Sequence, residues 1–306
     1  MSAHDPHPKV TDSVPGVFFR GVPMGLAELV PGVSGGTMAF ISGIYYRLVA
    51  ALAAFGPGSI PLLLRPQEFW RHHQLGFLLT LAAGMLLGVG GFARIIGYLM
   101  QQAPPVLWAF FAGVIALSVC QIGAARRPLN LLVFGSLGVM LGLGFLSLPE
   151  QNLSGSSLAL FFAGMVAVCA WILPGISGSF VLLLLGLYAD VITAVNGFDV
   201  AFLLVLGAGC ASGLLLFTQG LSWLLANYED PLLALLTGFM ATALVKLWPW
   251  QQPGEDSVGG LGNLFDGLLW PPQYASVVGP DFFWIAAGSA VMGGVGVWLL
   301  SKLGSR

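Results

Sequence analysis

The sequence of 306 residues contains few charged side chains, since Asp, Glu, Lys and Arg together make up only 8% of it. A share of about 25% is usual for a globular protein, and so few charges cannot cover a surface that faces water. Apolar residues make up 57%, and 43 glycines suit close helix packing in a bilayer. We therefore expect an integral membrane protein. Its net charge of −2 provides no basic field, so no nucleic-acid partner is expected.

Cysteine and histidine are also scarce. The cysteines lie singly in apolar runs without CxxC spacing, at Cys120, Cys169 and Cys210. Neither a disulfide framework nor a metal site is predicted, and no cofactor is expected. Two of the four histidines lie in the N-terminal tail, at His4 and His7, and two in a basic loop, at His72 and His73. We expect all four to be solvated.

Six unbroken apolar runs approach the roughly 20 residues that cross the hydrocarbon core, and they predict transmembrane helices. Their approximate bounds are 75–100, 106–125, 129–148, 199–225, 231–248 and 281–301. Two further apolar segments, about 17–54 and 157–195, are broken by PGVSGGT from Pro31 and PGISGSF from Pro174. The arm before Pro31 has about 14 residues, or ~21 Å of helix, which is too short to span. We predict re-entrant helical hairpins with tips facing an internal site, the alternative being two full spans joined by a proline-kinked loop.

The two broken segments match at a constant separation of 143 residues. The matching pairs are Pro31 with Pro174, Gly32 with Gly175, Ser34 with Ser177, Gly35 with Gly178, Gly43 with Gly186 and Tyr45 with Tyr188. One hairpin and three spans make an odd number of crossings, so the second half is predicted to be inverted. The expected fold is an all-α polytopic membrane protein, a single transmembrane domain over 1–306 with inverted repeats at about 17–148 and 157–302. Broken helices in inverted repeats are typical of secondary transporters, and a duplication kept for packing alone is the alternative.

The basic residues predict the orientation of the chain. Eight of the eleven can be placed on one side: Lys9, Arg20, Arg65, Arg71, Arg126, Arg127, Lys302 and Arg306. The opposite loops, about 101–105, 149–156, 196–198 and 249–280, contain no Lys or Arg and carry Glu150, Glu255, Asp256 and Asp266 instead. By the positive-inside rule, both termini are predicted to be cytoplasmic, in a multi-pass protein of the inner (plasma) membrane.

The two tips combine hydroxyl groups with glycine amides at the start of a helix, which suits a phosphate or carboxylate. The predicted anion-binding residues are Ser34, Gly35, Gly36, Thr37, Ser177, Gly178 and Ser179. Such residues also serve as plain helix breakers and packing sites, which is the alternative interpretation.

A few charges lie within or near apolar runs. Glu28 precedes the first tip, and its repeat counterpart is Trp171. Because burial disfavours a carboxylate without compensating donors, we hypothesise that Glu28 carries a proton or orients the tip. Arg94 could bind a phosphate or pair with Glu28, and snorkelling to the outer edge is an equal alternative. Lys246, beside Trp248 and Trp250, is attributed to snorkelling next to an aromatic belt.

The segments MGLAELVPGVSGGTMAFISGIYYRLVAAL at 24–52 and ILPGISGSFVLLLLGLYADVITA at 172–194 resemble the polyprenyl-phosphate transporter family. The resemblance covers nearly the whole chain. It implies a transporter rather than an enzyme, which returns undecaprenyl phosphate across the cytoplasmic membrane for cell-wall synthesis. The lipid phosphate would contact the seven tip residues, with Arg94 as counter-charge, while the prenyl tail stays among the membrane lipids. Proton coupling would fall to Glu28, and the resemblance indicates no oligomeric state.

Two other functions share these features. PGVSGGT also resembles the PGxSRSxxT tip of undecaprenyl pyrophosphate phosphatases, but Gly35 and Gly178 stand where that family has arginine. Met24 stands four residues before Glu28, so the acidic pair for a metal and an attacking group is missing. A permease for a small soluble anion differs only in lacking lipid access.

Overall fold

The computed structural model describes residues 13–30, 33–149, 151, 156–252, 265 and 267–304. Within these ranges the protein is helical, with one isolated β-bridge between Gln251 and Leu268. The helices are α1 (Val14–Glu28), α2 (Gly35–Ile41), α3 (Tyr45–Ala53), α4 (Pro66–His72), α5 (Leu75–Gln102), α6 (Pro104–Ala124), α7 (Pro128–Leu146), α8 (Ser157–Ile172), α9 (Gly178–Leu184), α10 (Tyr188–Gly197), α11 (Val200–Asn227), α12 (Glu229–Lys246), α13 (Pro271–Val277) and α14 (Phe283–Gly304). A 3-10 helix spans Pro57–Leu64, and α7 contains a π-helical turn at Leu131–Gly135.

Helices lie at all six positions predicted for unbroken spans. Five of them, α5, α6, α7, α11 and α14, are long and apolar enough to cross a membrane. The sixth, α12, has 18 residues with acidic residues in its first turn and Lys246 in its last. Several helices begin on a proline, whose fixed φ suits a first turn: Pro66, Pro104, Pro128 and Pro271. The prediction of an all-α polytopic membrane protein is confirmed.

Each broken segment contains a second break that the sequence did not predict. The helix after the tip has only seven residues, in α2 and in α9, before the chain bends by 120° into α3 and by 110° into α10. The bends lie at Gly43 and Gly186, whose φ values of 77° and 71° favour glycine. Tyr45 and Tyr188 then start the next helices. The predicted breaker residues Pro31 and Gly32 lie outside the described residues.

Helix packing recurs in the two halves at corresponding positions. In the first half, α1 lies so close to α5 that a Cβ on Gly84 would clash with the carbonyl oxygen of Phe18. In the second half, α8 approaches α11 in the same way, and Gly209 faces the carbonyl of Phe161. The residues on α1 and α8 are 143 positions apart, and those on α5 and α11 are 125 apart. The first half contains an additional segment with the 3-10 helix and α4, which explains the change in separation.

The last span of each half packs against the other half of the chain. Helix α7 of the first half packs on α12 of the second, and α14 of the second half packs on α6 of the first. Both contacts use glycine at corresponding positions, where Gly238 faces the carbonyl of Gly135 and Gly113 faces that of Ala290. Neither half therefore has a complete helix bundle of its own.

The first broken segment forms the centre of the largest hydrophobic core. Six of the seven residues of α2 are buried, against two in α9. The prediction that all histidines are solvated is wrong for His73, which is fully buried between the rings of Phe55 and Phe69. Its Nδ1 bonds the Phe69 carbonyl at 2.9 Å and its Nε2 lies 2.7 Å from Ser59 Oγ. Its neighbour His72 is exposed, and His4 and His7 lie outside the described residues.

Candidate functional site

The polar atoms of the first tip are used in contacts with the second half. Ser34 caps α2 by accepting from Gly36 N at 3.1 Å and donates to the Leu173 carbonyl at 3.2 Å. Thr37 Oγ1 accepts from Gly175 N at 2.9 Å. Gly36 lies so close to the end of α8 that a Cβ would clash with the carbonyl of Ile172. In the state seen here, the first tip is therefore packed against the second tip.

Glu28 joins the two halves. Its Oε1 accepts from Gly35 N at 2.9 Å, in the first turn of α2, and from the Trp171 indole N–H at 2.7 Å. Glu28 and Trp171 are repeat counterparts, separated by 143 residues. Two hydrogen-bond donors thus compensate the charge of the half-buried carboxylate. The sequence prediction that Glu28 lies close to the first tip is confirmed.

The second tip lies beside a cavity of about 270 Å³. Gly175, Ile176, Ser177 and Phe180 form one side of it, and Phe239, Thr242, Ala243 and Lys246 of α12 form another. Met100, Trp108, Phe145 and Leu146 complete the apolar wall. Ser177 Oγ lies 2.8 Å from Ser179 Oγ, so two hydroxyl groups stand together at this tip. A more polar cavity of about 490 Å³ lies next to it, shares Met100, Trp108 and Gln251 with it, and is also lined by further glutamines.

Lys246 corrects the sequence interpretation. Its side chain lines the cavity, with Nζ 6.0 Å from the centre of the Phe180 ring, rather than reaching only toward a membrane surface. The neighbouring Trp250 packs on Tyr274 of α13 and is only 8% exposed, so it is buried instead of standing in an aromatic belt that faces lipid. A usable signal was present, because Lys246 ends an apolar run next to loops that contain no Lys or Arg.

The predicted anion-binding residues therefore fall into separate environments. Ser177 lines the cavity, and Gly178 and Ser179 adjoin it at the start of α9. Ser34, Gly35, Gly36 and Thr37 are buried in the contact between the halves. Arg94 is exposed on α5 and is not among the residues lining the cavity.

The fold and this site define a multi-pass helical membrane protein with a cavity that combines hydroxyl groups and a lysine beside a broken helix. The family model for undecaprenyl phosphate translocase-like proteins matches residues 24–262. The chain is 36% identical over 278 residues to a polyprenyl-phosphate transporter of Vibrio cholerae, covering 88% of this chain and 90% of that one. It is 28% identical over 251 residues to a polyprenyl-phosphate transporter of Staphylococcus aureus, covering 75% and 84%. No solved structure matches significantly. The protein belongs to the undecaprenyl phosphate translocase-like family.

Proposed function

We propose that this protein moves undecaprenyl phosphate or a related polyprenyl phosphate between the leaflets of the cytoplasmic membrane, and so recycles the lipid carrier of envelope synthesis. The observation that carries the proposal is the cavity in which Ser177 and Lys246 meet against apolar walls. The family and the names of the two relatives support the same substrate. As a transporter, the protein carries out no bond cleavage on its lipid.

The phosphate headgroup binds between Lys246 and the Ser177–Ser179 hydroxyl pair. An ammonium group and hydroxyl donors match the oxygen atoms of a phosphate monoester, and low dielectric strengthens these hydrogen bonds. Phe180 and Phe239 contribute an apolar wall for the first part of the prenyl chain. A volume of about 270 Å³ lies below the roughly 300–1,000 Å³ typical of pockets for drug-sized ligands. The long tail therefore stays in the lipid.

The two halves act as inverted repeats, each with a re-entrant hairpin and three spans. The recurring glycine contacts support this arrangement, as do the 120° and 110° bends. Helices α1 and α8 have 15 and 16 residues, ~22–24 Å, which is short of the hydrocarbon thickness. With the basic end inside, both termini are cytoplasmic and the Lys246 cavity opens to the outside, where the lipid is collected.

The first tip binds phosphate only after the halves rearrange. Ser34 and Thr37 now bond backbone groups of the second half, and a rearrangement would release them together with the amides of Gly35 and Gly36. Glu28 couples this step to a proton, since its carboxylate bridges both halves. Arg94 stays a prediction as a counter-charge, and its exposed position supports the snorkelling alternative.

Purified protein in liposomes tests the proposal. Short-chain polyprenyl phosphate is placed in the inner leaflet, and a phosphatase that cannot cross the membrane is added outside. We expect the protein to increase the rate at which the phosphatase reaches the lipid. Lys246→Gln should lower this rate about tenfold or more at limiting lipid, because a charge-assisted hydrogen bond contributes roughly 1.5–3 kcal/mol. Lys246→Arg should recover part of it. Lys302→Gln is the matched control, since Lys302 lies against Trp298 near the end of α14.

Three outcomes would contradict the proposal. The first is a Lys246→Gln protein that moves the lipid as fast as the parent. The second is release of inorganic phosphate from polyprenyl pyrophosphate by the protein alone, which would favour a phosphatase. The third is transport of inorganic phosphate that short-chain polyprenyl phosphates do not inhibit, which would favour a soluble-anion permease.

A further inference from the structure

A smaller cavity of about 190 Å³ lies at the other end of the protein. It is lined by Phe40, Ile41, Ser118, Gln121, Ile122, Ala125 and Arg126. Helix α6 contributes Trp108 to the large cavity and Gln121 to the small one, and these residues are ~20 Å apart along the helix axis. The small cavity thus lies at the basic end, beside α2, whereas the large one lies beside α9.

The two cavities use corresponding positions of the two halves. In the register that the glycine contacts define, Gln121 corresponds to Lys246 and Arg126 corresponds to Gln251. Each cavity is therefore lined by one cation and one glutamine at these two positions. The large cavity has the cation first (Lys246) and the glutamine second (Gln251), and the small cavity has the reverse order. Two further lining pairs correspond in the same way, Ser118 with Ala243 and Phe40 with Leu183. Unrelated surface clefts would not share four positions in register.

The cation of the small cavity, Arg126, forms an ion pair. Arg126 Nη1 lies 3.4 Å from Asp230 Oδ1, and the two side chains are only 17% and 27% exposed. Asp230 also accepts from Asn130 Nδ2 at 2.6 Å, while the neighbouring Glu229 accepts from Tyr46 OH at 2.7 Å. The first turn of α12 is thereby joined to α3, to the turn between α6 and α7, and to α7.

We propose that the Arg126 cavity is a second binding site for the phosphate headgroup, and that Asp230 occupies its cation in the state seen here. The inference rests on the proposed function, because it assigns the same ligand to the opposite end of the molecule. When the Arg126–Asp230 pair opens, Arg126 takes the role of Lys246, and Ser118 and Gln121 provide hydrogen-bonding groups. A phosphate monoester and Asp230 thus compete for one guanidinium group.

Thiol labelling of the full chain tests this, after replacement of Cys120, Cys169 and Cys210 by alanine. Ser118→Cys reports on the small cavity and Ala243→Cys on the corresponding position of the large one. Adding Asp230→Asn, or separately Arg126→Gln, should raise labelling of the first reporter by up to about fivefold and lower that of the second, because a partly exposed ion pair contributes up to ~1 kcal/mol. Arg127→Gln is the matched control and should change neither reporter, because Arg127 is exposed, does not line the cavity, and donates to Asp230 Oδ2 through its backbone N–H, which glutamine keeps.

Ligand protection completes the test. In the Asp230→Asn protein, short-chain polyprenyl phosphate should slow labelling of the Ser118→Cys reporter. Adding Arg126→Gln to this protein should abolish the protection. Equal protection by inorganic phosphate would assign the site to free phosphate and overturn the lipid assignment. If Asp230→Asn leaves both reporters unchanged while the lipid still protects the large cavity, this inference fails and the proposed function stands. If labelling shifts but the lipid protects neither cavity, the proposed function fails and the ion-pair lock alone is supported.

Discussion

Glu28 receives one hydrogen bond from its own tip and one from the opposite half of the chain. Both roles predicted from the sequence, orienting the tip and carrying a proton, are compatible with this position. The sequence predicted the carboxylate to lie near the tip because Glu28 stands only three residues before Pro31. The contact with Trp171 could not be predicted from either residue, since it depends on how the two halves meet.

Glu28→Gln separates the two roles of this side chain. The amide oxygen can still accept from Gly35 N and the Trp171 indole, so the protein should fold, but the amide cannot exchange a proton. We expect a weaker pH dependence of transport, limited to the titration of the phosphate monoester itself at about pH 6, measured in liposomes over about pH 5.5–8.5 with Glu68→Gln in an exposed ion pair as control. Normal transport with an unchanged pH dependence would remove the proton-carrier role.

Tyr45 has a fully buried hydroxyl group without a hydrogen-bond partner among the described residues. A buried unpaired hydroxyl costs roughly 1–3 kcal/mol, so Tyr45→Phe should raise the stability of the protein, measured as its thermal unfolding temperature in detergent. Tyr188, at the corresponding position, is 39% exposed, and Tyr188→Phe should have little effect. A lower unfolding temperature for Tyr45→Phe would reveal a partner for the hydroxyl group.

The helices differ in how far the sequence predicted them. The six unbroken spans follow from apolar length, because each needs only enough hydrophobic residues to cross the membrane. The Pro-Gly breaks follow from the loss of helical hydrogen bonding at those residues. In the sequence, the bends at Gly43 and Gly186 appear only as a repeated GxY pattern. The left-handed backbone of these two glycines cannot be predicted from a hydrophobicity pattern. Similarly, the direction of Lys246 depends on which face of α12 borders the cavity.

The bend between α9 and α10 provides a prediction at the level of these helices. Gly186→Ala should destabilise the protein by about 1–2 kcal/mol, because a Cβ is disfavoured at a φ of 71°. Gly186→Asn should be tolerated better, since Asn enters this region more readily. Gly220→Ala is the control, as its Cβ meets open space within α11 and should instead add helix propensity. Thermal unfolding in detergent would rank the variants, and equal destabilisation at both glycines would contradict the assignment.

At the scale of the whole molecule, the matching polar residues predict two equivalent tips, but the unequal state of the two tips could not be predicted from them. The sequence offers both tips equally, whereas the structure packs Ser34 and Thr37 between the halves and leaves Ser177 at a cavity. Matching residues at the two tips do not indicate which tip is packed and which one borders a cavity. Only the tertiary contacts distinguish the end that is open.

The size of the Lys246 cavity leads to a prediction about substrate selection. Because about 270 Å³ holds the headgroup and little more, polyprenyl phosphates of different chain length should compete about equally for the protein. Competition in liposomes between short-chain and long-chain phosphates, corrected for their partition into the bilayer, would measure this. A strong preference for one length would require an additional groove for the tail.

The exchange of the last spans affects how the chain assembles during synthesis. Helix α6 is complete at Ala124, but its partner α14 ends only at Gly304. At a translation rate of ~5–20 residues per second, this interval lasts roughly 10–40 s. During that time the small-residue face of α6 at Gly113 must remain in lipid or against a chaperone. The order of synthesis thus makes the final helix the one that completes both halves.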